Sequence, residues 1–151
     1  MSENPDPSLR SVELSRLATG HYRARNADGA ELEFGQGEGL LSPVELMLAA
    51  IAGCSSIDVD TATSRSAEPT EFQVGATAHK VTEDGANRMD DINLSFNLAF
   101  GDDDGGRKAA SMVQRLVELS HDKYCTVSRT VERGTAVSHD VNVNGNRTDG
   151  N

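Results

Sequence analysis

The chain reads as an α+β domain of antiparallel strands with helices lying on one face, and three observations predict this. Segments 70–82 and 92–100 alternate apolar and polar residues (Phe72, Val74, Ala76, Ala78; Ile92, Leu94, Phe96, Leu98), the period of strands buried on one side only. Two other segments, opening at Ser42 and near Asp104, carry apolar residues at helical spacing. The order is strands, helix, strand hairpin, helix, strand, without internal repeat. With 151 residues, 36% of them hydrophobic, there is material for one core and not for two.

Residues 1–9 hold two prolines and little to bury, so a disordered N-terminal tail is expected before a domain over 10–141. Across 11–34 the pattern is extended: Val12, Leu14 and Leu17 punctuate polar neighbours, Gly20 interrupts, and Asn26-Ala27-Asp28-Gly29 reads as a hairpin turn before Leu32 and Phe34. A loop with three glycines delivers the chain to Ser42, a helix N-cap with Pro43 at the first helical position and Glu45 at capping-box spacing. That helix is expected to end near residues 64–66, before Pro69. Glu83-Asp84-Gly85-Ala86-Asn87 joins the two alternating strands as a turn. The last aspartate of Asp102-Asp103-Asp104 caps a second helix that carries Ala109, Met112, Val113, Leu116 and Val117 and ends near His121. A short strand is expected over 131–141 and a disordered tail over 142–151. Two helices and a few short strands leave a thin core, which favours a dimer.

Composition narrows function by exclusion. A formal charge of -10 opposes binding to nucleic-acid phosphates or to anionic membrane surfaces. Only three of the fourteen basic residues are lysine, a balance that fits a saline source and fits an ordinary acidic cytosolic protein as well. No apolar stretch is read as spanning a bilayer, and the polar, acidic start lacks the features of a signal peptide, so a cytoplasmic protein is expected. In that compartment cysteines more often do redox work or bind metal than form static disulfides.

There are two cysteines. Cys54 lies in the apolar run of the first helix, on a stripe with Leu46, Ala50 and Ile57. Burial there raises the pKa of a thiol, so reactivity requires a nearby cation or donor. Cys125, in His121-Asp122-Lys123-Tyr124-Cys125-Thr126-Val127-Ser128, stands at what reads as another helix start, where N–H groups favour an anion. The pair lacks the spacing of a structural zinc site. Two readings stay open: a reactive pair, or small hydrophobes in a core.

The stretch Ser42-Pro43-Val44-Glu45-Leu46-Met47-Leu48-Ala49-Ala50-Ile51-Ala52-Gly53-Cys54-Ser55-Ser56-Ile57-Asp58-Val59, together with His121 to Ser128, closely resembles the OsmC/Ohr family of osmotically inducible and organic hydroperoxide resistance proteins, on its OsmC-like branch. The likeness covers roughly residues 11–141, with both cysteine motifs in order. It implies an intertwined homodimer with two interface sites, each pairing a peroxidatic Cys54 with a resolving Cys125. The implied activity is reduction of organic hydroperoxides in oxidative stress defence, through a Cys54 sulfenic acid and a Cys54–Cys125 disulfide. A lipoyl-protein or thioredoxin-like dithiol would reduce that disulfide, and no cofactor or metal is expected.

The resemblance also implies an arginine and a glutamate that hold the thiolate. Here Val44 stands where the organic hydroperoxide resistance branch has its glutamate, and Glu45 is one further on, about 100° around the helix. Glu45 is therefore either a catalytic carboxylate or simply the capping-box partner. Arg23 is the candidate arginine, with Arg25 on the same strand face and Arg16 upstream; the alternative is a solvated arginine on an acidic surface. Asp58, one turn after Cys54, is expected to make a structural hydrogen bond, His121 to sit favourably at a helix end, and Tyr124 to form a pocket wall. A non-catalytic small-molecule-binding or redox-sensing protein on the same scaffold is the competing reading.

Overall fold

In the computed structural model, which describes residues 6–148, three antiparallel strands come first. They are β1 (Val12–Ala18), β2 (His21–Asn26) and β3 (Glu31–Gly35), in the order β1-β2-β3. Tyr22 stands opposite Phe34 and Arg23 opposite Glu33. The β2–β3 turn falls where the sequence places it: the Asn26 side-chain oxygen accepts from the N–H groups of Asp28 (3.0 Å) and Ala30 (2.9 Å), and Gly29 takes a φ of 91°. Gly35 is required at the end of β3, since at its φ of 149° a Cβ would collide with the Gly20 carbonyl. That carbonyl accepts the next N–H, of Gln36, at 2.7 Å.

Helix α1 (Pro43–Thr63) follows, and the division of the chain into two units, between Ala50 and Ile51, falls within it. Its capping box is complete: Glu45 N–H donates to Ser42 Oγ (3.2 Å) and Ser42 N–H donates to Glu45 Oε2 (2.9 Å). One expectation needs correcting here. With 21 residues and a mean hydropathy of 1.2 over its most apolar window, α1 is long and apolar enough to cross a bilayer by length and composition. The same composition serves a core helix, because alanines and serines keep the helix slim while its aliphatics raise hydropathy.

In the second unit, β4 (Glu71–Glu83) and β5 (Ala86–Ala99) form an antiparallel hairpin closed by Asp84 (φ 50°) and Gly85 (φ 78°), a two-residue turn of left-handed residues. Its alternation is as predicted: Phe72, Val74, Ile92, Leu94 and Phe96 are half-buried, while Gln73, Asn93, Ser95 and Asn97 are exposed. β5 starts six residues before its apolar alternation does. In that polar extension Arg88 pairs with Glu83 (2.6 Å) and Asp90 (3.2 Å).

Helix α2 (Asp104–Leu119) is capped by Asp103 and not by Asp104: the Asp103 carboxylate accepts from Gly106 N–H at 2.6 Å, a contact two residues beyond the first helical position. Its apolar stripe is as expected, with Ala109 buried and Met112, Val113, Leu116 and Val117 half-buried. α2 then loosens into a π turn (Ser120–Tyr124), and a third helix, α3 (Thr126–Arg133), follows where two helices in all were foreseen. Consequently the strand expected over 131–141 is absent. Val131 belongs to α3 and 134–140 have no regular structure. Within the segment expected as a C-terminal tail, β6 (Val141–Val143) and β7 (Asn146–Thr148) pair around Asn144 (φ 53°) and Gly145 (φ 76°). Of the expected N-terminal tail, residues 6–9 form a turn in which Leu9 N–H donates to the Asp6 carbonyl at 2.9 Å; residues 1–5 and 149–151 lie outside the described residues.

Candidate functional site

Within the second unit, α1 buries Ile51, Ala52, Ser55, Val59 and Thr63. The spacing of four that links Ile51, Ser55, Val59 and Thr63 makes this the core stripe. The stripe predicted through Cys54 and Ile57 lies beside it: Ile57 is 67% exposed and Cys54 half-buried. One step of about 100° per residue accounts for the difference, and it leaves the Cys54 thiol on the border of the core. The hydroxyls on and near the buried face find partners. Thr63 donates to the Val59 carbonyl (3.0 Å), Ser56 to the Ala52 carbonyl (2.6 Å), and Ser55 meets Ser120 (3.2 Å).

Ser120 is the bridge to the second cysteine. Fully buried, it donates its hydroxyl to Asp58 Oδ2 (2.7 Å), the structural hydrogen bond expected of Asp58. Its carbonyl accepts the Cys125 N–H at 2.7 Å, the i to i−5 bond that makes the π turn. A braced π turn thus hands the chain to Cys125, which is 0% exposed and caps α3 with its sulfur. Cys125 Sγ accepts from Ser128 N–H (3.4 Å) and donates to Ser128 Oγ (3.1 Å). The helix start read at Cys125 is therefore present, and its first N–H groups point to a sulfur.

The structure places the two free thiols near enough for the Cys125 sulfur to influence the ionisation of Cys54. Burial, the largest influence, pushes the Cys54 thiol above its ordinary value. The Val127 N–H opposes this, the Cys125 sulfur raises it further, and the Thr126 N–H opposes again, without cancelling the rise. Chemically, the arrangement offers one partly exposed sulfur, two backbone donors for a negative charge on it, and a second sulfur behind it. Among the described residues no three His, Cys, Asp or Glu side chains gather to hold a metal ion.

Arg23 and Glu45 belong to the first unit, where each charge has a partner. Arg23 donates to Glu33 (2.9 Å) and lies 3.6 Å from Glu31, Arg25 is 4.0 Å from Glu31, and Arg16 donates to Thr19. The Glu45 carboxylate is the capping-box acceptor. In the second unit His121 stands 3.3 Å from Glu132 beside a cavity of about 270 Å³ walled by Ile51, Leu94, Phe96, Val117 and Val131. Tyr124 walls a separate cleft with Ile57 and Leu116. Ser55, Ser120 and Ser128 escaped the sequence reading. Only Ser128 left a trace there, three residues after Cys125 at the spacing of an N-cap contact.

Comparison with known proteins adds to this geometry. The family model for OsmC-like proteins matches residues 35–140. Protein YhfA of Escherichia coli K12 is 28% identical over 131 residues, spanning 86% of this chain and 88% of its own length. The crystal structure of a hypothetical protein from Aquifex aeolicus superposes with a TM-score of 0.67 at 22% identity, covering 85% of this chain and 90% of that one. That of an organic hydroperoxide resistance protein from Elizabethkingia anophelis gives 0.55 at 18%, covering 85% and 92%.

Proposed function

The chain belongs to the OsmC-like protein family, and from that premise we propose that it is a cysteine-based peroxidase reducing organic hydroperoxides. The observation that supports the reading is the nearness of half-exposed Cys54 to buried Cys125, with the Val127 and Thr126 N–H groups favouring the Cys54 anion. The Cys54 thiolate attacks the outer oxygen of the hydroperoxide, the O–O bond breaks, and the alkoxide takes up the proton the thiol gave to the medium and leaves as the alcohol while Cys54 becomes a sulfenic acid. The Cys125 sulfur then displaces hydroxide, which departs as water, and the Cys54–Cys125 disulfide results. A lipoyl-protein or thioredoxin-like dithiol returns both cysteines to thiols by exchange. The name of the Elizabethkingia relative supports the organic hydroperoxide as substrate class. In this reading the protein works in the cytoplasm as an intertwined homodimer.

A second reading, a non-catalytic small-molecule binder or redox sensor, draws on two observations: burial raises the Cys54 thiol, and Arg23 is engaged by Glu33 and Glu31. Counting thiols before and after one equivalent of cumene hydroperoxide separates the two. The peroxidase loses two thiols per chain within seconds, and Cys54→Ser abolishes the loss. Thiols that persist for minutes in the wild type overturn the enzymatic reading.

A further inference from the structure

A buried cysteine that caps a helix is held differently as a thiol and as half of a disulfide. Cys125 Sγ donates to Ser128 Oγ at 3.1 Å, with the Ile51 carbonyl a longer alternative acceptor at 4.0 Å, and accepts the Ser128 N–H at 3.4 Å. The bond from Ser128 N–H survives oxidation, because the sulfur keeps its lone pairs. The bond in which the sulfur donates to Ser128 Oγ does not, because a disulfide sulfur carries no proton; the Ser128 hydroxyl can then only turn to donate to the sulfur, a weak acceptor. Cys125 is 0% and Ser128 7% exposed, and of the two only Ser128 borders the cavity beside His121, so water has no access to the sulfur and reaches at most the hydroxyl. From this asymmetry we propose that Ser128 is a positioning residue that stabilises the dithiol form of the Cys54/Cys125 couple and makes its disulfide more oxidising.

The inference rests on the Cys54–Cys125 couple proposed above and specifies how that couple is reduced. Cys125 is closed to solvent while Cys54 is half-exposed, so a dithiol donor attacks Cys54 Sγ. The S–S bond breaks, a mixed disulfide forms between donor and Cys54, and Cys125 leaves with the electron pair. It takes a proton from the medium and re-forms its bond to Ser128 Oγ. The donor's second thiol then closes the donor disulfide and releases Cys54, so two electrons and two protons pass from donor to protein. An oxidising couple of this kind is one whose reduced form is held by hydrogen bonds.

The test needs no peroxide. The wild-type disulfide is formed with diamide and equilibrated against mixtures of reduced and oxidised dithiothreitol, with thiols counted by mass shift after alkylation. Ser128→Ala is expected to favour the disulfide by about three- to tenfold, a potential roughly 15 to 30 mV more negative, while Ser128→Thr keeps the wild-type value. Should the alanine chain fail to fold, Ser128→Val against Ser128→Thr makes the same comparison at nearly equal shape. A potential that ignores the hydroxyl in these pairs overturns the inference and leaves the couple standing. Failure of the wild type to form the disulfide overturns both.

Discussion

At the Cys54 sulfur, burial and the Cys125 sulfur favour the neutral thiol, while the N–H groups of Val127 and Thr126 favour the anion. Burial is the largest of the four and the net direction is upward, so the thiol predominates at neutral pH. The rate at which iodoacetamide modifies Cys54 should therefore keep rising with pH past the midpoint of an ordinary cysteine, about 8.5. Cys125→Ala removes one of the raising influences and should bring that midpoint down; an unchanged or higher midpoint in mass-resolved alkylation would count against the contact. The same shift carries a sign for stability. A group whose folded pKa is raised contributes fully below its unfolded pKa and loses that contribution as pH rises through the folded one. Cys54 should thus weaken the fold on the alkaline side, and the alkaline fall in Tm should be shallower in Cys54→Ala.

At the scale of elements, the site depends on how α1 grips the π turn. Ser120 touches Ser55 at 3.2 Å and Asp58 at 2.7 Å while its carbonyl holds the Cys125 N–H. Ser120→Ala strips buried Ser55 of its bridging partner and Asp58 of a donor, which costs about 1–3 kcal/mol. A urea melt should show a lower midpoint with an unchanged slope, and closure of the Cys54–Cys125 disulfide should slow in the same variant. Much at this scale was legible. The Ser42–Glu45 capping box, the β4–β5 alternation and the α2 stripe are local patterns, and local physics dictates them. Helix α3 was legible only at its start, read at Cys125; its body was not, because Thr126, Val127, Thr130 and Val131 are β-branched and favour a strand. What turns them into a helix is a sulfur cap from Cys125 and Thr130 Oγ1 donating to the Thr126 carbonyl at 2.8 Å. The β6–β7 hairpin did leave a local signal, Asn144-Gly145, obscured by a polar surrounding that reads as a tail.

At the scale of the whole molecule, few of the described large apolar side chains are fully buried. Val12 (61%), Leu14 (58%) and Leu32 (50%) stand exposed in the first sheet, and Ile57 (67%) on α1. Such exposure is what the proposed homodimer would cover. Light scattering should give twice the 16.1 kDa chain mass, and the Tm should rise with protein concentration. A monomer with a Tm independent of concentration would overturn the dimer.

The sequence by itself determined the α+β class, the capped first helix, the half-buried hairpin, the family and the two cysteines of the candidate site, because each is written in residue type and spacing along a continuous stretch. Only the tertiary structure decided which face of α1 is core, that Cys54 lies at its border, and that Ser55 and Asp58 of α1 meet Ser120 of the π turn. It also decided that Arg23 is engaged by Glu33 and Glu31. Those are contacts between residues far apart in the chain or one helical step apart, where a rotation of about 100° separates a buried group from an exposed one.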